Sequence, residues 1–447
     1  MGKIAEYLIY LYVFFMVIDS SGEGSLTKVP FVSLSIKYCI LLVLLAFFVF
    51  RLFRWTLEKI WPANYFSRYL TMLICFAVFY VSMGLLRGNE FNYVLKDSFG
   101  LLYYSVGFLI IPFLDRKEQI FNILKVLFIS TLTVNAFLII TEIILIQNVI
   151  PVDLVNMLIV GNKLGLYIGN IANTPFYRIA LRAGIFVQMG AVMAFSLIFV
   201  KGIRASKLYI LYLFTGLAGL FILFSRGNWL GFLVSAFVVM LYNIMDKNVK
   251  AMLVALFAIA AIGSISIGVS NIRFESAFAD RFFSSFNFIE DESNLIRAEQ
   301  FEMLNNKFLE HPFIGGGYGT YIEGYSRDTD QPYYFELDYL AMLMKFGIVG
   351  FAVLVGLFFN ILRAEYIAII NAKDKKIKAV GIGMFASVIG LFITAATNPY
   401  MNGLLGNFIV LFSMAIFNVI MNNEKMPAVA GIPDQGTVLK RKDLKQQ

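Results

Sequence analysis

A chain of 447 residues that is 59% hydrophobic and only 15% charged, with a mean hydropathy of +0.76, has too little polar surface for a water-soluble fold and reads as an integral membrane protein. Its single histidine, His311, excludes a multi-histidine metal centre. Cys39 and Cys75 lie inside apolar runs, as small membrane residues rather than a disulfide. The net charge of +8 would suit a nucleic acid, but its distribution argues against one.

About twelve apolar runs approach or reach the roughly 17–25 residues that a membrane helix needs. The expected architecture is therefore all-α and polytopic. The runs are 4–18, 36–53, 69–86, 98–114 and 120–146; then 179–200, 208–224, 229–245 and 251–268; then 337–362, 379–397 and 404–421. The first is short, but Asp19-Ser-Ser-Gly-Glu is a poor cleavage site, so it reads as a retained helix and not a signal peptide.

With the N-terminus in the cytoplasm, Arg51, Arg54, Lys59 and Arg68 fall on the inside. So do Lys201, Arg204, Lys207, Lys247 and Lys250, the group Lys373, Lys375, Lys376 and Lys378, and the tail's Lys425, Lys440, Arg441, Lys442 and Lys445. This positive-inside pattern accounts for the excess charge without nucleic acid and puts both termini in the cytoplasm. The expected units are helices one to five in 1–146, an external loop 147–178, helices six to nine in 179–268, a large external loop 269–336, helices ten to twelve in 337–421, and a tail 422–447 that reads as disordered.

The large loop is acidic at Glu290-Asp291-Glu292. It then turns amphipathic over 297–311, where Phe301, Leu304, Phe308 and Leu309 recur at helical spacing. Pro312 and Gly315-Gly316-Gly317 end that helix in a tight turn. The run Gly315–Gly319 lacks a preceding strand and a Gly-Lys-Ser/Thr ending, so it is not a nucleotide-binding loop. His311 reads as a helix C-terminal residue meeting the dipole.

Three arginines stand where lipid alone would not put them. Arg226 lies in a short turn between helices seven and eight, Arg182 in the first turn of helix six with Arg178 one turn earlier, and Arg297 at the start of the amphipathic helix. Each could snorkel to the interface or pair with acidic residues. Together they suit an anion, since guanidinium forks match phosphate oxygens and keep their charge when partly desolvated. Gly227 beside Arg226 permits a close backbone approach. Glu336 and Asp338 stand at the lip of helix ten, two residues apart, and so do not share a helical face. Either can serve as a helix N-terminal carboxylate. Lys345, about 12 Å deeper at 1.5 Å per residue, is expected to face protein or a wet cavity.

Four segments carry a resemblance. FSRGNWLGFLV (224–234) resembles the Ser-Arg-Gly-x-Trp-x-Gly signature of the bacterial O-antigen ligase and polymerase superfamily. RAEQFEMLNNKFLEHPFIGGGYGTY (297–321) is similar to its Arg-led loop helix with a Pro-x-x-Gly-x-Gly turn. FELDYLAMLMKFGIVGF (335–351) is similar to its His-Asn-x-Tyr-Leu … Gly-x-x-Gly segment, and ATNPYMNGLLGNF (396–408) to an ending found in the polymerase branch. The resemblance implies a GT-C-type membrane glycosyltransferase using undecaprenyl-diphosphate-linked glycans at the outer face of the bacterial cytoplasmic (inner) membrane. It implies that Arg226 and Arg297 hold the diphosphate, with Arg182 assisting. Glu336 occupies the position where ligases carry histidine, and Leu337 replaces the usual polar neighbour, which favours a polymerase over a ligase. Glu336 would accept a proton from the acceptor hydroxyl, with Asp338 as reserve base or as the group that orients the acceptor. The arginines would offset leaving-group charge, so the account calls for no metal and no cofactor. Expected partners are the lipid-linked oligosaccharides, membrane lipids and a chain-length regulator. The rivals are a lipid-linked oligosaccharide flippase or other transporter, an O-antigen ligase, and a non-catalytic scaffold.

Overall fold

The computed structural model describes residues 2–19, 35–54, 65–161, 166–170, 176–201, 207–245, 292–325 and 331–424. The expected ninth helix (251–268), the acidic run before 292 and the tail lie outside the described residues. Each of the other expected apolar segments coincides with a helix. These are α1 (Gly2–Ile18), α2 (Ile36–Arg54), α3 (Ser67–Leu86), α4 (Phe91–Leu102, continuing as short 3-10 and α turns to Phe113) and α5 (Lys117–Ile146). They continue with α7 (Gly184–Lys201), α8 (Lys207–Leu223), α9 (Arg226–Met245), α11 (Asp338–Asn371), α12 (Lys375–Ala395) and α13 (Leu404–Asn423). Six of these, α3, the α4 run, α5, α11, α12 and α13, are long and apolar enough to cross a membrane; α7, α8 and α9 include shorter apolar stretches. The chain is a mostly helical, multi-pass membrane protein.

Between α5 and α7 lie a short helix, α6 (Val152–Gly161), and an antiparallel hairpin of β1 (Leu166–Asn170) and β2 (Tyr177–Leu181) with Gly169 opposite Arg178. The hairpin corrects two expectations. The fold is not purely α, and the sixth apolar helix starts at Gly184, not near residue 179. The local cause is alternation: Tyr177, Ile179 and Leu181 take one face of a strand while Arg178 takes the other. The fourth helix likewise starts at Phe91 and not at Ser98, so that it includes Asp97.

α7, α8, α9 and α12 pack through small residues, as membrane helices do when no hydrophobic force separates lipid from protein. Gly227, Gly231 and Ser235 recur every four residues on α9. A Cβ on Gly231 would lie 2.1 Å from Thr394 Oγ1, and one on Gly390 of α12 would lie 2.0 Å from Ser235 Oγ. Ser235 Oγ reaches Gly231 O (2.7 Å) and Ala386 O (2.8 Å), tying the two helices across that close approach.

α11 is broken at Gly347, whose φ of 65° and ψ of −179° leave the helical region. The break frees backbone groups, and the loop after α10 (Glu292–Glu310) takes them up. Ile348 N–H and Val349 N–H, which would donate to Met344 and Lys345 within a continuous helix, donate instead to Pro312 O (2.8 Å) and Phe313 O (3.1 Å). Met344 O and Lys345 O accept from Gly316 N–H (3.0 Å) and Gly317 N–H (2.8 Å). Two helical bonds are exchanged for four loop bonds. Gly347 is required on two counts: its positive φ disfavours side chains, and a Cβ there would lie 2.4 Å from the Phe313 carbonyl. The glycine-rich run is thus a backbone plug, its amides spent on protein. Asn89 Nδ2 holds it from the other side through Gly316 O (3.0 Å) and Tyr318 O (2.9 Å).

Gly231→Val should destabilise the α9–α12 contact by about 1–3 kcal/mol through overpacking, seen as a lower thermal midpoint in detergent. Gly356→Val, at a position with open space around it, should leave the midpoint unchanged.

Candidate functional site

The site lies at the end of the bundle where α5 stops and α7, α9, α11 and α13 start. α10 rests on the start of α11 through one narrow stripe. Leu304 is buried with Phe335, Ala341 and Met344, and Phe308 packs against them. Phe301 and Leu309, expected on the apolar face, are exposed. The stripe's other members are polar and spaced to match it: Arg297 and Gln300, seven and four residues before Leu304. Gln300 is buried, and its Oε1 accepts Leu337 N–H at 2.9 Å, satisfying a free amide at the start of α11. One turn earlier, Arg297 Nε lies 3.3 Å from Glu336 Oε2, with the two side chains 27% and 31% exposed. Glu336 is therefore held at a half-open mouth by α10.

Arg178 joins this pair from the hairpin. Burial lowers the pKa of its guanidinium, with Glu336 opposing that shift and Arg297 adding to it, so the three charges sit within electrostatic reach of one another. Its Nε is buried without a hydrogen-bond partner. β2 is pinned next to Arg178 by Glu142 of α5, whose Oε1 accepts Tyr177 N–H at 2.9 Å.

A second group adjoins the first. Arg182 is exposed, in the turn that follows β2 and not in the first turn of a helix. It acts electrostatically on Tyr334, two residues before Glu336, and on Tyr400. Desolvation pushes the Tyr400 hydroxyl up to about 12, against the opposing effects of its hydrogen bond to Asn228 and of Arg182. Tyr334 donates to Pro399 O at 2.9 Å. Arg226 is half-buried as the first residue of α9, two positions before Asn228. The space beside Gly227 is filled by protein: a Cβ there would lie 2.5 Å from Asn398 Nδ2 and 2.7 Å from Thr397 Oγ1. The close approach expected at this glycine is thus made by the end of α12.

Asp338 is fully buried. Its carboxylate accepts Met401 N–H (2.6 Å), Asn402 N–H (3.3 Å) and the Asn402 side-chain amide. It clamps the turn between α12 and α13 to the start of α11, which is the geometry of an anchor. Lys345 faces protein: its Nζ lies 2.6 Å from Asp97 Oδ1, with the two side chains 0% and 1% exposed. Asp97 Oδ2 accepts Gly319 N–H at 2.9 Å, joining the pair to the plug. His311 ends α10 and its Nε2 lies 3.3 Å from Arg87 Nη1. That is about 21 Å from Arg297 along the helix at 1.5 Å per residue.

Arg178 and Arg297 therefore stand within electrostatic reach of the half-open Glu336, while Arg182 acts on Tyr334, two residues before it, and on Tyr400, an excess of positive charge that suits a multiply charged anion. Asp97, Glu142, Asn228 and Gln300 were not anticipated. Two of them carried a signal: Glu142, a carboxylate inside the apolar run 120–146, and Asp97, a carboxylate at the edge of the run 98–114.

Residues 211–355 match the family model described as O-antigen ligase, which supports the O-antigen ligase and polymerase superfamily. A chain in a solved structure described as "Structural coordination of polymerization and crosslinking by a peptidoglycan synthase complex" is similar at 13% identity and a TM-score of 0.45, over 79% of this chain and 97% of that one. That likeness is too distant to bear on function. None of the curated proteins compared matches.

Removing one partner of the buried pair leaves an uncompensated charge. Lys345→Met should cost about 3–5 kcal/mol, and Lys345→Met with Asp97→Leu should recover most of it. Thermal unfolding of the purified chain in detergent reads both.

Proposed function

We propose that this chain, a member of the O-antigen ligase and polymerase superfamily by the match over residues 211–355, is a polysaccharide polymerase. It transfers a growing glycan from undecaprenyl diphosphate to a new lipid-linked repeat unit at the outer face of the cytoplasmic membrane. The observation that carries this reading is the Arg297–Glu336 contact at the mouth of α11, with Arg178 beside it. A carboxylate that can accept a proton then stands next to cations that can hold a diphosphate.

In this mechanism the acceptor's ring hydroxyl attacks the anomeric carbon of the donor glycan. The new glycosidic bond forms as the bond to the diphosphate oxygen breaks. Glu336 takes the hydroxyl proton, and undecaprenyl diphosphate leaves with its charge met by Arg226 and Arg297, assisted by Arg182. Fixed guanidinium groups supply what a divalent cation would otherwise supply, so the reading is of a metal-independent enzyme. Asp338 acts by position: it fixes the α12–α13 turn that carries Tyr400, and with it the start of α11 next to Glu336. A glutamate, and not a histidine, at this position supports polymerase over ligase. The chain's only histidine is instead at the far end of α10.

The orientation is part of the proposal. The site end faces outward, and the end bearing Lys207, Lys375, Lys376 and Lys378 faces the cytoplasm, in keeping with the positive-inside rule.

Glu336→Gln and Arg226→Ala should each reduce polymer by about 100-fold or more while the protein remains in the membrane at wild-type abundance. Gel profiles of surface glycan alongside immunoblots of the membrane fraction read this. Normal long-chain glycan in both variants would sink the assignment.

A further inference from the structure

The end of the bundle opposite Glu336 holds a second cationic site. The two ends are separated by α5, whose 30 residues span about 45 Å. α5 leads from this end to the Glu142–Tyr177 contact beside the hairpin. α13 runs the other way: it starts at the turn clamped by Asp338 and ends where Asn423 Nδ2 donates to Asp115 O at 2.9 Å and Lys117 Nζ lies 2.7 Å from Glu424. Here the start of α1, the end of α2, the turn after the α4 run and the start of α5 line an open cavity of about 420 Å³. Its lining includes Lys3, Arg51, Phe113, Asp115, Arg116 and Gln119.

The charges in this cavity divide into two kinds. Arg116 is neutralised within the protein: it pairs with Glu6 and lies 3.5 Å from Asp115, whose side chain is 62% exposed. Arg51 is held without being neutralised. Its Nη1 donates to Pro112 O at 3.3 Å and its guanidinium lies 5.1 Å from the centre of the Phe113 ring, contacts that aim the fork and leave its charge. Lys3 adds an exposed ammonium, and among the described residues neither Lys3 nor Arg51 is in an ion pair. Gln119 braces the turn that carries Asp115 and Arg116. Gln119 accepts Asp115 N–H (2.8 Å) and Arg116 N–H (2.9 Å) and donates to Phe113 O (3.0 Å). Lys3, Arg51 and Arg116 against Asp115 and Glu6 thus leave an excess of positive charge, with Arg51 held and Lys3 exposed, in a pocket at the level where apolar helices stop. In a membrane-spanning chain that level is the headgroup layer.

We propose that this cavity binds a phosphate group through Arg51 and Lys3, presented by an anionic phospholipid headgroup or as the free ion. The guanidinium takes two phosphate oxygens and the ammonium a third. This site is separate from the arginines around Glu336, and its existence does not depend on the reaction assigned there.

Native mass spectrometry of the detergent-purified full chain, offered phosphatidylglycerol or phosphatidylcholine, tests the lipid arm. A thermal shift with millimolar inorganic phosphate tests the free-ion arm. Wild-type protein should retain phosphatidylglycerol over phosphatidylcholine, or be stabilised by phosphate, and whichever response appears identifies the source. Arg51→Ala with Lys3→Ala should lose that response by about 5-fold per charge removed. Lys3→Ala alone, at an exposed side chain, should give the intermediate loss. Lys375→Ala with Lys376→Ala, removing equal charge from the start of α12, should retain the response. Absence of both responses in wild type, or an equal loss in the α12 control, would overturn the proposal.

Discussion

The hydrogen-bond exchange at Gly347 is the constraint on which the site rests. A helix interrupted within a membrane-embedded bundle exposes amides and carbonyls that lipid cannot satisfy, at several kcal/mol each. The Pro312–Gly317 segment supplies matching groups at the matching spacing, and so the break becomes a socket. Because the plug follows α10 directly, seating it sets where α10 lies. That position brings Arg297 to Glu336 and Gln300 to Leu337 N–H. A purely continuous α11 would offer α10 only side-chain contact, with nothing to fix its register to better than a helical turn.

Buried charge reinforces the same joint. Lys345 lies two residues before the break, and its partner Asp97 also accepts an amide of the plug. One ion pair thus links α4, α11 and the glycine-rich run, and its cost of desolvation is met by contacts that all belong to this joint. Asp338 does similar work at the start of α11, with its oxygens spent on the Met401–Asn402 turn. Glu336 and Arg297, by contrast, stay part-exposed, with side chains 31% and 27% exposed. Asp97 and Asp338, with their oxygens spent on protein groups, differ in this from the half-open Glu336.

Much of this was legible in the sequence, and the rest was hidden for identifiable reasons. Apolar run length located the helices because bilayer thickness is a physical length. The amphipathic stretch after Arg297 was legible as a helix, and hydropathy chose half of its face: Leu304 and Phe308 are on the contact stripe. Phe301 and Leu309 are exposed, whereas the true contact stripe contains Arg297 and Gln300, polar residues recruited to a helix N-terminus. The hairpin was hidden because five residues of alternation beside a long apolar run look like an early helix start. The role of Gly315–Gly319 was invisible, since its partner is a break 30 residues later and backbone exchange leaves no side-chain signature. The arginines were legible one by one, as cations out of place; the proximity of Arg178 and Arg297 to Glu336 is a matter of three dimensions.

The activity proposed for this end of the bundle is joining sugars and not merely moving them. The most direct measurement reconstitutes the purified chain in liposomes with an undecaprenyl-diphosphate-linked repeat unit and EDTA. Mass spectrometry then follows the glycan while a leaflet-accessibility assay follows the lipid. Products growing by whole repeat units, with release of undecaprenyl diphosphate, are predicted. Unchanged glycan mass together with movement of the lipid-linked unit between leaflets would contradict it.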